Sequence, residues 1–347
     1  MTDFVVGWDL GGAHVKAALV REGRLVQIWQ QPCPLWRGLE QLDRAMDPIL
    51  AQLPPNPRHS LTMTGEMVDR FANRRQGVMA LLTRFTARVT GPVWIFASTE
   101  FIPLSLVNQK TTKTIASGNW RLPGLWLARQ SQTGLFVDIG STTTDLLPLE
   151  RGRLLCRGED DHSRLCAGEL RYAGVVRTPL MALAGEILFR GERVGLMAEH
   201  FATIADVYRL LGQLPSRADQ AETADGGPKT AEASARRLAR MVGLDAEDAS
   251  MAEWQALARA FRERHWQQLT WDCLRQLGRL SGPAQSLIGA GVGRFLLPEV
   301  ARRLGIAYRD FSELVSAETT TVFDPADCAP AAALALLLAA DDGKMTG

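Results

Sequence analysis

Two acidic residues enclose a run of hydroxyl residues near the middle of the chain. Asp138 and Asp145 flank Gly140 and the four hydroxyl residues at 141–144. A glycine lets a ligand approach the backbone, and backbone N–H groups and hydroxyls in such a turn can bind phosphate oxygens. Carboxylates repel phosphate, but they can hold a Mg²⁺ ion that bridges them to it. The segment therefore predicts a site for a phosphate group and a divalent cation.

The hydroxyl run lies between two apolar runs, at residues 135–137 and 146–149, so it predicts a strand, a tight turn and a second strand. The N-terminus repeats this design, with an apolar run at 4–8, a turn at 9–14 that begins with Asp9, and a second apolar run at 15–20. One glycine-containing hairpin is usually only a turn. Two hairpins of this kind in one chain are much more specific for phosphate binding.

A third glycine-rich segment lies toward the C-terminus. An apolar strand at 286–288 leads into Gly289, Gly291 and Gly293, and a helix is predicted over about 295–304. Together, the two hairpins and this segment resemble the phosphate-1, phosphate-2 and adenosine loops of the actin, Hsp70 and sugar-kinase superfamily. The hydroxyl run resembles the hydantoinase/oxoprolinase branch of that superfamily.

The resemblance covers nearly the whole chain. Segments at 62–71, 116–120, 168–179 and 201–208 resemble the tetrahydromethanopterin-linked one-carbon pathway proteins of that branch. This implies a transferase of methanofuran biosynthesis or, in methylotrophic bacteria, of a methanofuran analogue. The implied reaction condenses an (aminomethyl)furanylmethyl diphosphate with the phenol of γ-glutamyltyramine, or of a tyrosine analogue, and releases pyrophosphate.

The fold implied by the resemblance is a two-domain α/β fold of the actin, Hsp70 and sugar-kinase type (ribonuclease H-like), with a cleft between the domains. The alternation of strand and helix patterns between residues 39 and 97 agrees with an α/β class. We place the domain boundary near residues 130–132. Residues 1–130 then carry the first phosphate loop, and residues 131–347 carry the second phosphate loop and the adenosine-like loop.

The predicted roles follow from these loops. Asp9 and Asp138 are the predicted Mg²⁺ ligands. The predicted phosphate-binding residues are Gly11, Gly12, Gly140, Ser141, Thr142, Thr143, Arg177, Gly289 and Gly291. The predicted catalytic residues are Asp138, Asp145, Lys16 and Glu66.

Two steps of the implied reaction need protein groups. Lys16 or Arg177 would neutralise the charge that grows on the leaving group. A phenol, with a free pKa of about 10, needs a base or a nearby cation. Asp145 and Glu66 are the candidate bases; His14 is a third, although a lone histidine is more often structural.

Two other functions stay open at this stage. An ATP-dependent small-molecule kinase or a ring-opening amidohydrolase would use ATP, and the Gly289–Gly293 loop favours that function. The first loop has Ala13 and His14 where the superfamily often has a hydroxyl, which counts against ordinary ATP hydrolysis. A non-enzymatic nucleotide sensor or assembly protein ranks last.

Composition and net charge indicate which kind of binding partner and which cellular compartment to expect. The 347 residues suffice for two domains, and a net charge of +1 gives no electrostatic reason for a nucleic-acid or membrane partner. We therefore expect small-molecule substrates. The five cysteines are scattered without a metal-binding spacing, which predicts free thiols. Free thiols and the lack of a recognisable signal peptide predict a cytoplasmic protein. The Trp-rich helical stretch at 252–280 suggests a homodimer.

Two polar segments have less definite predictions. Residues 215–234 are acidic and glycine-rich, which predicts a mobile loop or a lid over the substrate. Residues 157–166 contain His162 beside three acidic residues. We interpret this segment as a solvated loop rather than a metal site, because adjacent side chains rarely converge on one ion.

Overall fold

The computed structural model describes residues 4–318 and 323–341. Its strands are β1 (Phe4–Leu10), β2 (His14–Arg21), β3 (Arg24–Pro32), β4 (Arg58–Met63), β5 (Val93–Ala97), β6 (Glu100–Pro103), β7 (Gly134–Ile139), β8 (Thr144–Glu150), β9 (Arg153–Leu154), β10 (Leu170–Arg171), β11 (Glu186–Phe189), β12 (Glu192–Gly195), β13 (Ser286–Ala290) and β14 (Ala307–Asp310).

The α-helices are α1 (Glu40–Leu50), α2 (Arg74–Thr86), α3 (Thr112–Ile115), α4 (Arg121–Arg129), α5 (Asp161–Ala167), α6 (Leu180–Leu183), α7 (Ile204–Leu210), α8 (Ala231–Met241), α9 (Met251–Leu277), α10 (Leu297–Leu304) and α11 (Ala329–Ala340). Short 3₁₀ helices lie at Leu35–Arg37, Gly65–Met67, Leu104–Leu106, Ala246–Asp248, Arg294–Leu296, Phe311–Leu314 and Pro325–Cys328.

Two sheets share one arrangement. The first sheet has the order β3-β2-β1-β4-β5-β6, and the main path of the second is β10-β8-β7-β13-β14. In the first sheet, β3, β2 and β1 pair in antiparallel fashion, and β4 and β5 extend the sheet parallel to β1. In the second sheet, β10, β8 and β7 pair in antiparallel fashion, and β13 and β14 extend the sheet parallel to β7. The α/β class and the two strand–turn–strand hairpins predicted from the sequence are confirmed.

One apolar core joins the two sheets. It combines Val5 and Ala18 of the first sheet with Phe136 and Leu147 of the second, and it includes α4 and α11. Helix α11 packs on β1 so closely that a Cβ on Gly7 would lie 2.4 Å from the Ala331 carbonyl oxygen. This shared core fixes β1 and β7 relative to each other, and with them the loops that follow these strands. The domain boundary near residue 130 stays a prediction.

The outer face of each sheet has its own core. Helices α1 and α2 cover the first sheet, and α7 to α10 cover the second. Burying both faces of a sheet explains why β1 and β7 are apolar almost throughout rather than alternating. Asp9 and Asp138, near the ends of these two strands, depart from this apolar pattern, so core packing does not explain them.

Several predicted boundaries are corrected. Within the strand and helix alternation predicted between residues 39 and 97, α2 begins only at Arg74, where the Asn73 side chain accepts the Gln76 N–H. Residues 161–167 of the expected solvated loop form α5, and α8 begins at Ala231 within the expected mobile loop.

Candidate functional site

Two loops, one from each sheet, line a single cavity of about 590 Å³. The first loop joins β1 to β2 and the second joins β7 to β8. The same backbone hydrogen bond closes both turns: Gly11 N–H donates to the His14 carbonyl at 2.9 Å, and Gly140 N–H donates to the Thr143 carbonyl at 2.8 Å. The two hairpins that the sequence indicated can therefore act on one ligand.

Most of the predicted site residues line this cavity. They are Asp9, Gly11, Gly12, Lys16, Asp138, Gly140, Ser141, Thr142, Thr143, Asp145 and Arg177. The structure does not bring Glu66, Gly289 or Gly291 into the cavity lining.

Glu66 lies behind the cavity wall. Its side chain is buried beneath the 3₁₀ helix at Gly65–Met67, and Oε1 accepts a hydrogen bond from the Ser117 hydroxyl at 2.8 Å. Burial raises its pKa, while Ser117 opposes this effect, and Oε2 has no hydrogen-bond partner among the described residues. A base must reach the proton that it removes, so this position disfavours Glu66 in the predicted role.

The third glycine loop serves packing. A Cβ on Gly289 would lie 2.7 Å from the ring of Tyr308. Gly291 has φ +81, and a Cβ there would lie 2.3 Å from Oδ1 of Asp138. Both residues therefore need to be glycine for reasons other than phosphate contact, and Gly291 leaves room for the Asp138 carboxylate.

The carboxylates at the ends of β1 and β7 are deeply placed. Asp9 is 6% exposed and pairs in register with Lys16, and Asp138 pairs in register with Asp145. Burial raises the pKa of Asp9, although Lys16 and a hydrogen bond from Asn119 at 3.2 Å oppose this. Burial raises the pKa of Asp138 to about 7, against the charge of Lys16.

Lys16 supplies positive charge between these carboxylates. Its Nζ donates to the Asp327 carbonyl oxygen at 2.7 Å. Burial alone would lower the pKa of Lys16, but Asp138, Asp9 and Asp327 outweigh this and raise it above its ordinary value. Lys16 is therefore protonated, and it partly offsets the two acidic groups before any ligand binds.

Asp145 has a cationic partner. Arg164, almost completely buried, places a guanidinium nitrogen 2.5 Å from Oδ1 of Asp145 and stacks 3.9 Å from the ring of Trp120. The ion pair engages Oδ1 of Asp145 with a fixed cation, so that oxygen is not free to receive a substrate proton. Asp145 fits better as a fixed negative charge than as the acceptor of a substrate proton.

The hydroxyl loop is braced from behind by residues 174–177. The Val175 N–H donates to the Gly140 carbonyl at 3.1 Å, and the N–H groups of Val176 and Arg177 donate to the Ser141 carbonyl. A Cβ on Gly174 would lie 2.4 Å from the Gly140 carbonyl oxygen, so this close approach requires glycine. The bracing leaves the side chains of residues 141–143 directed at the cavity, which they line.

His14 contacts a distant segment across the cavity edge. Its Nε2 lies 2.6 Å from Oε1 of Gln220, which fixes Nε2 as the protonated nitrogen and leaves Nδ1 as an acceptor. Burial, with Lys16 and Arg177, lowers the pKa of His14 to about 4, against the effect of Gln220. His14 is therefore neutral near pH 7 and lines the cavity.

Gln220 belongs to residues 215–230, which we call the cross-cleft segment. Two ion pairs anchor it to the second sheet's helices, Arg209 to Asp219 and the fully buried Arg237 to Asp225. A third ties it to the first half of the site, Glu222 to Arg37, and a fourth pairs Arg217 with Asp327, just before α11. The segment spans the two halves of the site; a lid movement stays a prediction.

Three further residues of the lining were not assigned roles from the sequence. Asn119 donates to Asp9, while Trp36 and Tyr172 expose aromatic rings at the cavity. The strings at 116–120 and 168–179 contain Asn119 and Tyr172, so the resemblance marked their segments without indicating a role. Nothing in the local sequence marks Trp36.

Asp9 and Asp138 line the same cavity and would suit a Mg²⁺ ion that takes most of its ligands from water and phosphate. In the described parts of the chain, no group of three or more His, Cys, Asp or Glu side chains is arranged to hold a metal ion. Mg²⁺ is commonly held through one or two carboxylates, with water and substrate phosphate as its other ligands. A cation there would also offset the burial that raises both pKa values.

Two general properties bear on the setting of this site. No helix within residues 4–318 and 323–341 is long and apolar enough to cross a membrane. All five cysteines are free thiols, and Cys33, Cys273 and Cys328 are buried.

Comparisons with known proteins give the site a chemical context. A family model described as hydantoinase/oxoprolinase matches residues 58–328. A similar protein from Methanocaldococcus jannaschii, 29% identical over 249 residues, is named (4-{4-[2-(gamma-L-glutamylamino)ethyl]phenoxymethyl}furan-2-yl)methanamine synthase; the match covers 71% of this chain and 74% of that protein.

A protein of the same name from Methanococcus vannielii is 32% identical over 119 residues, which is 34% of this chain and about half (53%) of that protein. Among solved structures, component A of (R)-2-hydroxyglutaryl-CoA dehydratase from Acidaminococcus fermentans aligns over 99% of this chain and 100% of its own, with a TM-score of 0.49 and 9% identity.

Proposed function

The chain belongs to the hydantoinase/oxoprolinase family, and on that premise we propose that it is a transferase of methanofuran or methylofuran-analogue biosynthesis. It condenses an (aminomethyl)furanylmethyl diphosphate with the phenol of γ-glutamyltyramine, or of a tyrosine analogue, and releases pyrophosphate. The observation that carries the proposal is the pair of glycine turns facing one cavity, in a chain whose relatives are named for an aryl furanylmethyl ether.

The proposed reaction exchanges one C–O bond for another. The bond between the furanylmethyl carbon and the diphosphate oxygen breaks, and its electron pair leaves with pyrophosphate. A lone pair of the phenol oxygen forms the new ether bond, and the phenol proton passes to a base. Because a furanylmethyl carbon can carry positive charge, stabilising the leaving group matters at least as much as activating the phenol.

The diphosphate end of the donor is assigned to the two turns. The backbone N–H groups and hydroxyls of Ser141, Thr142 and Thr143 provide donors, and Gly11 and Gly12 let phosphate approach the first turn. Lys16 adds a buried positive charge near the point where negative charge grows. Asp9 and Asp138 would hold Mg²⁺, which would supply further charge neutralisation for the diphosphate.

His14 is the group best placed to receive the phenol proton. It is neutral near pH 7, lines the cavity and has its tautomer fixed by Gln220. Asp145 is occupied by Arg164, and Glu66 lies outside the cavity. We therefore place His14 ahead of Asp145 and Glu66, the two bases favoured by the sequence, and we assign Asp145 a charge-positioning role.

The alternative of an ATP-dependent kinase or amidohydrolase loses its main support. It depended on Gly289 to Gly293 as an adenosine site, but that loop does not line the cavity, and the relatives are named for the furanylmethyl ether synthase. We therefore do not propose ATP as a cofactor. The second assay described below tests whether the protein uses it.

We also propose the cellular compartment, the class of ligand and the oligomeric state of the enzyme. Five unpaired cysteines suit the reducing conditions of the cytoplasm, and small molecules suit a cavity of this size. We expect no nucleic-acid or membrane partner. A homodimer remains an expectation, and Trp271 is the exposed tryptophan of α9 that could take part in it.

The test is a direct assay with the synthetic furanylmethyl diphosphate, γ-glutamyltyramine and Mg²⁺. We expect an ether product by mass spectrometry and one pyrophosphate per ether. A second assay replaces the diphosphate with ATP and measures ADP. ADP formation without an ether product would contradict the proposal and restore the ATP-dependent alternative.

A further inference from the structure

Exposed aromatic side chains are rare in this protein, and two of them lie at the cavity. In the described residues, only Trp36, Tyr172 and Trp271 are exposed aromatic side chains, at 50%, 56% and 70%. Trp36 and Tyr172 line the cavity, whereas Trp271 lies on α9 outside it. Large apolar groups that remain exposed beside a polar site commonly mark a surface for a ligand.

The backbone holds Trp36 beside the first phosphate loop. Its neighbour Leu35 donates its N–H to the Gly12 carbonyl at 3.1 Å, and the Cys33 N–H donates to the Ala13 carbonyl at 2.7 Å. On the other side, Arg37 pairs with Glu222 of the cross-cleft segment. The ring of Trp36 is therefore presented from a short 3₁₀ helix that is fixed at both ends.

The backbone holds Tyr172 beside the second phosphate loop in the same way. Arg171 pairs in register with Thr144, and its guanidinium forms an ion pair with Asp272. The hydroxyl of Thr144 donates to the Ala173 carbonyl at 2.7 Å. Each of the two loops thus carries one fixed, exposed aromatic neighbour, and the two neighbours belong to opposite halves of the site.

A guanidinium at the same edge can bind an anionic substrate group. Arg177 lines the cavity, lies 5.8 Å from the ring of Trp36, and forms no ion pair with a carboxylate among the described residues. The glutamyl group of the acceptor carries a carboxylate, which a guanidinium can bind bidentately.

We propose that Trp36 and Tyr172 form an aryl-binding subsite that holds the phenol ring of the acceptor between them. The proposal rests on the proposed function for the identity of the acceptor. Met67 and Val68 complete its apolar lining. The acceptor would then enter from the edge of the cavity, while the diphosphate occupies the turns at the ends of β1 and β7.

The test compares substrate constants of Trp36→Ala and Tyr172→Ala with those of Trp271→Ala, an exposed tryptophan remote from the cavity. We expect KM for γ-glutamyltyramine to rise about tenfold in each cavity variant, a change of about 1.4 kcal/mol, because truncation removes an aromatic contact with the phenol ring. KM for the diphosphate donor should change less than about twofold, and Trp36→Phe should recover most of the acceptor affinity. Thermal unfolding confirms that each variant folds.

A binding experiment separates this proposal from the proposed function. Tyramine is titrated by saturation-transfer NMR into protein with Mg²⁺ and pyrophosphate. Loss of tyramine binding in Trp36→Ala but not in Trp271→Ala supports the subsite even if no ether forms. Turnover by the wild-type protein with an unchanged acceptor KM in both cavity variants would overturn the subsite alone. No tyramine binding by the wild-type protein would also overturn it.

Discussion

Nε2 of His14 lies 2.6 Å from Oε1 of Gln220, a residue 206 positions later in the chain. The contact joins the first phosphate loop to the cross-cleft segment and selects the tautomer of a neutral imidazole. It therefore makes Gln220 a positioning residue for the proposed base.

Replacing Gln220 should move the acid limb of the pH profile. Activity that needs neutral His14 is lost as pH falls through its pKa, which is about 4 in the wild-type protein. In Gln220→Glu, a carboxylate would stabilise the imidazolium, raise that pKa and move the acid limb to higher pH. The measurement is kcat/KM for the acceptor against pH.

Gln213→Glu is the matched control, because Gln213 is exposed and lies outside the cavity lining. An acid limb that stays in place in Gln220→Glu would remove His14 as the base.

Gly291→Ala should reduce turnover through Asp138. The new Cβ would lie 2.3 Å from both Oδ1 of Asp138 and the Ile139 carbonyl oxygen, so the end of β7 that carries Asp138 must move, and φ +81 adds backbone strain. Gly305→Ala is the control, because its φ of +68 brings similar strain with no atom within 4 Å of the Cβ. Each variant should lose about 1 kcal/mol of stability from its backbone.

Only Gly291→Ala should also lose Mg²⁺-dependent pyrophosphate affinity, as measured by titration calorimetry. Equal pyrophosphate affinity in the two variants would show that Asp138 does not need the space that Gly291 leaves.

Asp138→Asn should abolish turnover and stabilise the metal-free fold at alkaline pH. Burial raises the pKa of Asp138 from 3.8 in the unfolded chain to about 7 in the folded protein. Between these values the folded state retains a proton that the unfolded state releases, so the free energy of unfolding falls as pH rises. Above pH 7 the loss is complete, on the order of a few kcal/mol.

The measurement is chemical denaturation in EDTA at pH 5 and pH 8. Asp138→Asn should lose much of the wild-type decrease between these values, whereas the exposed Glu192→Gln should retain it. A decrease of the same size in Asp138→Asn would assign the pH dependence to other groups.

Arg177→Ala decides which substrate the exposed guanidinium serves. If Arg177 binds the acceptor carboxylate, KM for γ-glutamyltyramine should rise about tenfold or more, while Mg²⁺-pyrophosphate affinity stays within about twofold. Arg177→Lys should recover only part of the loss, because an ammonium cannot form the bidentate contact. A large loss of pyrophosphate affinity would return Arg177 to the phosphate role predicted from the sequence.

Much of the fold and the centre of the site followed from the sequence because both depend on short-range patterns. Apolar runs on either side of an acidic glycine turn specify a hairpin wherever they occur, and the second copy made the prediction of phosphate binding more specific. Strand pairing then fixes Asp9 opposite Lys16 and Asp138 opposite Asp145. Boundaries such as the start of α2 were less predictable, because a side-chain cap at Asn73 decided them.

The sequence by itself therefore determined the two turns, their acidic residues and the α/β class, since these arise from residues adjacent in the chain. Only the tertiary structure decided that Arg164 forms an ion pair with Asp145, that Glu66 lies outside the cavity lining, and that Gly291 leaves space for the Asp138 carboxylate. It also brought Trp36 and Tyr172 to one cavity. These contacts are between residues far apart in sequence. Which residues come into contact depends on how α4 and α11 pack between the two sheets.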